Sequence, residues 1–358
     1  MNTPYLGLIE GFFGRAWSFL VRYDYADFLQ KNGYHFYIYA PKNDPFLRKR
    51  WQEDWPAAAF AQLQTLVTHY QSLGLDFGIG LSPFEIYRNY DRSARNHLQK
   101  KIAVFNRLGI NMLCVLFDDM RGDLPDLAQT QTAIIHDILE RTGADRVIMC
   151  PTYYSFDPVL ETVFGSRPTN YFQDIAQGIP AAVDMLWTGP QVCSQEYPAS
   201  HLQEVTQLLG RKPFLWDNYP VNDGRITSKF LHLKAFEHRP GSLPDMTAGH
   251  AVNPMNQPWL SRIPLLSLPC SYHRYAEGRY YNPQQATQEA VWQVCEKKLA
   301  QYIVDDMELL HTQGLDRIDP VEKKALVQKY SSFDSPYAQE IVAWLNEEYT
   351  FDPSCLTS

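Results

Sequence analysis

The chain has 358 residues, and its 32 basic side chains against 40 acidic ones give a formal charge of −8. That balance excludes a surface built to neutralise nucleic-acid phosphates, which needs clustered Lys and Arg. Aromatic residues are in surplus, with 22 Tyr, 19 Phe and 8 Trp making 14% of the chain, and the length accommodates an α/β barrel of about 250 residues with a remainder.

No run approaches the roughly 18 uninterrupted apolar residues that cross a bilayer. Glu10 interrupts the first apolar run and no basic stretch precedes it, so the opening residues do not read as a signal peptide. Six cysteines, Cys114, Cys150, Cys193, Cys270, Cys295 and Cys355, are dispersed without a CxxC pair. Buried, reduced thiols in a cytoplasmic protein are the expectation, rather than disulfides or a cysteine-based zinc site. The ten histidines show neither HxH nor HExxH spacing, and no metal or cofactor is expected.

In chain order, β-branched and aromatic runs predict strands at 5–9, 35–39, 76–81, 112–117, 147–150, 184–187, 213–216 and 247–252. Between them, apolar residues at three- and four-residue spacing predict helices at 57–72, 93–108, 130–141 and 201–209. Eight strand–helix units close naturally into a barrel. An open doubly wound sheet is the alternative, but the turn after the first strand, Glu10-Gly11-Phe12-Phe13-Gly14, is not GxGxxG. Further on, Asn282-Pro283, Asp319-Pro320 and Ser335-Pro336 each set a capping residue before a proline suited to a first helical turn. They predict helices at 283–313, 320–330 and 336–348, with Gly314 as a stop. This helical appendage either folds back on the barrel or pairs with a second subunit.

A barrel of this kind carries its active site at the C-terminal ends of its strands, and those ends are polar here. The sharpest signal is Asp118-Asp119 after the apolar run Leu113-Cys114-Val115-Leu116-Phe117. Adjacent carboxylates at the end of a buried strand repel, which is tolerable when one keeps a proton or both are hydrogen-bonded. One acid and one base is what glycoside cleavage needs; a solvated turn, a helix cap or a divalent-metal site are the rival readings. Asp305-Asp306, the same dipeptide inside a helical pattern, reads as a solvated face, and Glu10 as a structural hydrogen-bonded carboxylate.

Seven segments, GLIEGFFGR at 7–15, YIYAPKND at 37–44, LFDD at 116–119, CPTYY at 150–154, LWTGP at 186–190, WDN at 216–218 with Asn222-Asp223, and NPMN at 253–256, together resemble glycoside hydrolase family 84, the O-GlcNAcase-type β-N-acetylglucosaminidases. The resemblance implies a (β/α)8 TIM barrel over residues 1–275 and a C-terminal helical region over 276–358. It also implies retaining, substrate-assisted hydrolysis of terminal β-linked GlcNAc on proteins or glycans, through an oxazoline. In this scheme Asp118 orients the acetamido N–H and Asp119 is the general acid and then base. Gly11, Lys42, Asn218, Asp223 and Asn253 would hold the sugar hydroxyls. Tyr154 would bond the acetamido oxygen, Trp216 would wall the acetamido methyl, and Val192 would flank the aglycone. A GlcNAc-binding protein without turnover and a hyaluronan-cleaving endo-glycosidase are the alternatives, and a homodimer through the C-terminal helices is a partner reading. Three departures, Phe13 where Tyr is common, Asn43 for Asp and Gly224 where an aromatic occurs, touch the leaving-group side.

Overall fold

The computed structural model describes residues 4–357, so 1–3 and 358 of the two predicted regions lie outside the described residues. Eight strands, β1 (Leu6–Glu10), β2 (Phe36–Tyr39), β3 (Asp76–Leu81), β4 (Met112–Leu116), β5 (Arg146–Cys150), β6 (Asp184–Trp187), β7 (Phe214–Asp217) and β8 (Gly249–Val252), close in chain order into a parallel barrel. They are mainly apolar, with charged residues such as Glu10, Asp76, Arg146, Asp184 and Asp217 at their ends, because one face fills the barrel interior and the other meets the helices; β4, Met-Leu-Cys-Val-Leu, is buried throughout. Its register, Leu113 beside Ile79 of β3 and Val147 of β5, places Asp118 and Asp119 just past the strand, at the mouth.

The intervening helices are α1 (Phe19–Lys31), α2 (Ala57–Ser72), α3 (Arg92–Leu108), α4 (Leu127–Leu139), α5 (Val159–Phe164), α6 (Tyr171–Gly178), α7 (Ala199–Leu209) and α8 (Leu243–Met246). Local chemistry sets their ends: Asp91 accepts the Ala94 N–H at the start of α3, and Gly109, at φ 75°, closes it. The sequence missed α9 (Pro258–Ala276), a nearly all-round buried helix that carries Pro264 and Pro269 in its interior.

Beyond the barrel lie α10 (Pro283–Val294), α11 (Lys297–Asp305), a π-turn over Glu308–Gln313, α12 (Pro320–Ser331) and α13 (Pro336–Leu345). The single helix expected over 283–313 is therefore broken. Cys295 and Glu296 take extended backbone, which resets the helical phase so that Leu299, Ala300 and Ile303 join Ala290 and Val291 in one cluster. Asn282 and Asp319 cap as expected, whereas Ser335 makes no side-chain cap bond. Asp306 departs from the solvated-face reading. It is half-buried, bonding Lys329 Nζ at 2.7 Å and the Tyr330 hydroxyl at 2.7 Å, while Asp305 stays exposed.

The appendage folds back on its own chain. Its cluster takes in Leu231, Leu233, Met255, Leu260 and Ile263 from the barrel side. At the junction Glu340 of α13 accepts the Trp259 and Leu260 N–H groups at 3.0 and 2.8 Å, satisfying donors that the first turn of α9 leaves over.

Candidate active site

The mouth of the barrel is assembled from the strand ends. Glu10 is fully buried, bonded by Arg22 at 2.6 and 2.7 Å and by the Tyr37 hydroxyl, so it is structural. One residue on, the Gly11 N–H donates to Asn253 Oδ1 at 3.2 Å. A Cβ on Gly11 would stand 2.4 Å from the Trp216 ring. Glycine here admits the indole to the wall.

Asp118 and Asp119 are 5% and 7% exposed. Asp119 sits at φ 53°, a left-handed conformation that Asp tolerates better than most residues, and this turn brings its carboxylate back beside that of Asp118. Both face one ammonium: Lys42 Nζ bonds Asp118 Oδ2 and lies 3.3 Å from Asp119 Oδ2. Burial raises the pKa of Asp119, and the Asp118 charge adds to this against the opposing pull of Lys42 and Arg48. Burial pulls Lys42 down, but the two carboxylates outweigh it and hold it protonated. Asp118 Oδ1 is buried and has no hydrogen-bond partner among the described residues. The pair can thus supply one proton donor and one unfilled acceptor side by side.

The positions named from sequence come together. Gly11, Lys42, Asp118, Asp119 and Tyr154 line the same cavity as Val192, Trp216, Asn218, Asp223 and Asn253. Burial and both aspartates push the Tyr154 hydroxyl well above the usual range, so it stays a neutral donor. Asn218 Nδ2 donates to the Val192 carbonyl at 2.9 Å, and its Oδ1 accepts from Asn253 Nδ2 at 3.0 Å. Asp223 accepts the Phe13 N–H at 2.8 Å; burial, with Asp119 nearby, pushes it up to about 6. Behind these, Asn256 Nδ2 donates to the Phe13 carbonyl at 2.8 Å while its own N–H donates to Asn222 Oδ1 at 3.1 Å, tying three mouth loops together.

The three departures fall unevenly. Phe13 lines the cavity, its ring centre 5.9 Å from Lys42 Nζ. Asn43 points away and donates to the Gly14 carbonyl at 3.0 Å, and the Gly224 N–H donates to Thr227 Oγ1 at 2.9 Å. The sequence missed Arg48, which is 5% exposed, packs over the Phe13 and Phe84 rings and donates to the Asp119 carbonyl at 3.3 Å. It also missed Cys150, Thr188, Cys193 and Val221, and two residues from the far end of the chain, Cys355 and Thr357. An apolar or small residue at a strand end carries no sequence signal that separates pocket wall from core. A larger cleft of about 960 Å³ opens between Arg15–Ser18 and α12–α13. Its one buried carboxylate, Glu340, is already spent on the start of α9.

Residues 6–307 match the family model NAGidase, beta-N-acetylglucosaminidase. The rat and mouse proteins named Protein O-GlcNAcase are each 28% identical over 257 residues, covering 69% of this chain. The chain spans 28% of the length of these relatives. Among solved structures, a mutant of the Thermobaculum terrenum O-GlcNAc hydrolase superposes with TM-score 0.79 at 30% identity, covering 96% of this chain and 81% of that one. CpGH84B shares the fold, with TM-score 0.72 at 22% identity over 92% of this chain and 57% of its own. With a family match that runs through all eight strands, the chain belongs to the β-N-acetylglucosaminidase family.

Proposed function

We propose that the protein is a glycoside hydrolase that removes terminal β-linked N-acetylglucosamine from proteins or glycans, with retention, through an oxazoline. The observation that carries this reading is the pairing of Asp118 and Asp119 against one lysine. Both carboxylates reach the same ammonium and so lie side by side. Two carboxylates on one ammonium do not by themselves choose between a carboxylate nucleophile and one supplied by the substrate. The family match and the unfilled acceptor at Asp118 Oδ1 support the substrate's own acetamido oxygen as the nucleophile. The acetamido oxygen attacks the anomeric carbon as the bond to the leaving oxygen breaks. Asp118 Oδ1, lacking a partner among the described residues, accepts the acetamido N–H and balances the charge that develops on it. Asp119 gives its proton to the leaving oxygen and then takes one from the water that opens the oxazoline. Tyr154 donates to the acetamido oxygen, Trp216 and Val192 wall the cavity, and Gly11, Lys42, Asn218, Asp223 and Asn253 hold the ring.

Release of a chromogenic phenol from its β-GlcNAc glycoside tests the activity. Progressive fluorination of the acetamido methyl tests the route, because it weakens the carbonyl as a nucleophile: kcat should fall steeply along the series. Rates indifferent to fluorination would exclude substrate assistance. Binding of GlcNAc without turnover would instead favour a lectin-like barrel, and preference for hyaluronan an endo-glycosidase.

The same reading takes residues 1–275 as the catalytic barrel and 276–358 as its appendage. The six cysteines form no disulfide, which fits a reducing compartment such as the cytoplasm; no described helix is long and apolar enough to cross a membrane. We extend the proposal to a homodimer through the C-terminal helices, supported by the exposed Tyr280, Trp292 and Val321. Light scattering showing a monomer at every concentration would contradict it.

A further inference from the structure

After α13 the chain runs back to the mouth of the barrel. A turn steers it there: the Ser354 N–H donates to Asp352 Oδ1 at 2.9 Å and the Cys355 N–H to the Asp352 carbonyl at 3.0 Å. From this turn the side chains alternate between two clefts. Cys355 and Thr357 enter the sugar cavity, while Ser354 and Leu356 line the adjoining cleft beside Asp119, Arg48 and Phe84. Cys355 is 8% exposed, and the Thr357 side chain is hydrogen-bonded to Tyr154, the group assigned above to the acetamido oxygen. With the segment seated, the cavity keeps about 50 Å³ of free volume, room for only a few waters and far too little for a hexosamine ring with its acetamido arm.

We propose that residues 352–357 form an intramolecular plug, seated where the sugar and its leaving group bind, and that substrate enters only when the plug leaves. The inference rests on the proposed glycosidase reading of the cavity. Thr357 is hydrogen-bonded to Tyr154 and Cys355 is buried, while Leu356 stays 52% exposed. A short tether holds the segment at millimolar effective concentration, so weak contacts suffice to keep it seated. Competition of this kind multiplies the apparent affinity by the open fraction, raising KM, and leaves the saturated rate alone.

Two variants test it, the full-length Cys355→Trp, whose indole is too large for the seat, and a chain lacking 351–358, which keeps every strand and helix. For a plug seated about nine-tenths of the time, each should show KM for the chromogenic β-GlcNAc substrate lowered about ten-fold with kcat unchanged. Hydrogen exchange read on the C-terminal peptide should show protection in the wild type that Cys355→Trp abolishes. An unchanged KM in both folded variants, or a kcat that falls with it, overturns the plug. If no chain turns the substrate over, the glycosidase reading fails and exchange alone decides. Protection lost in Cys355→Trp then supports the plug, and an unprotected wild-type peptide overturns it.

Discussion

Asp119 works through its neighbours. Burial and Asp118 raise its pKa while Lys42 and Arg48 pull it down. In the proposed scheme Asp119 acts in its protonated form, so activity should be present below its folded pKa and lost as the pH rises through it. Removing a cation that lowers that pKa moves the alkaline limb upward. Arg48→Gln should therefore shift the alkaline limb of kcat/KM to higher pH and lower its maximum by roughly ten-fold, since the hydrogen bond to the Asp119 carbonyl is weakened. A pH–rate profile that keeps its limb would remove Arg48 from the site's electrostatics. Gly11 acts by its smallness. In Gly11→Ala the new methyl meets Trp216 at 2.4 Å, and displacement of the indole should cost about 1–3 kcal/mol of overpacking and raise KM for the sugar at least several-fold. Thermal unfolding and steady-state kinetics on one preparation check both.

The helical elements explain how the appendage is fixed. Glu340 brings a carboxylate from α13 to the start of α9. Glu340→Ala leaves two N–H groups without that acceptor and should cost about 1–3 kcal/mol, read as a lowered Tm. Burial pushes Glu340 up to about 8 against the opposing effect of the two N–H groups and Arg262. The folded state then binds a proton that the unfolded chain releases at its ordinary value, so this contribution is complete below pH 4.5 and is lost as the pH rises toward 8. The fall in Tm across that window should be smaller in Glu340→Gln than in the wild type. An identical pH slope in the two would show that Glu340 is ionised throughout.

At the scale of the molecule, the sequence carries the barrel plainly because each strand is buried on both faces and so reads as an apolar run bounded by polar ends. The same pattern exposes Asp118-Asp119 at the mouth. What it hides are features decided by distant partners. Pro264 and Pro269 argue against a helix, yet α9 forms because it is buried between the barrel and the appendage. The break at Cys295 and Glu296 follows from which face meets the second cluster. Arg48 reads as one cation in a basic run until the fold sets it against Asp119, 71 positions away. Nothing in Ser354-Cys355-Leu356-Thr357 announces a place beside Tyr154. Local pattern specifies elements; closure of the barrel and return of the tail specify neighbours.

The central claim is the division of labour within the aspartate pair, and it is tested most directly by kcat/KM for wild type and Asp119→Ala on aryl β-GlcNAc glycosides of graded leaving-group acidity. With Asp119 as the proton donor, the loss should be small for the most acidic phenols and grow by about 100-fold or more toward the least acidic, the span ordinarily supplied by general acid catalysis. A loss of equal size across the series would contradict the assignment of Asp119 as the acid.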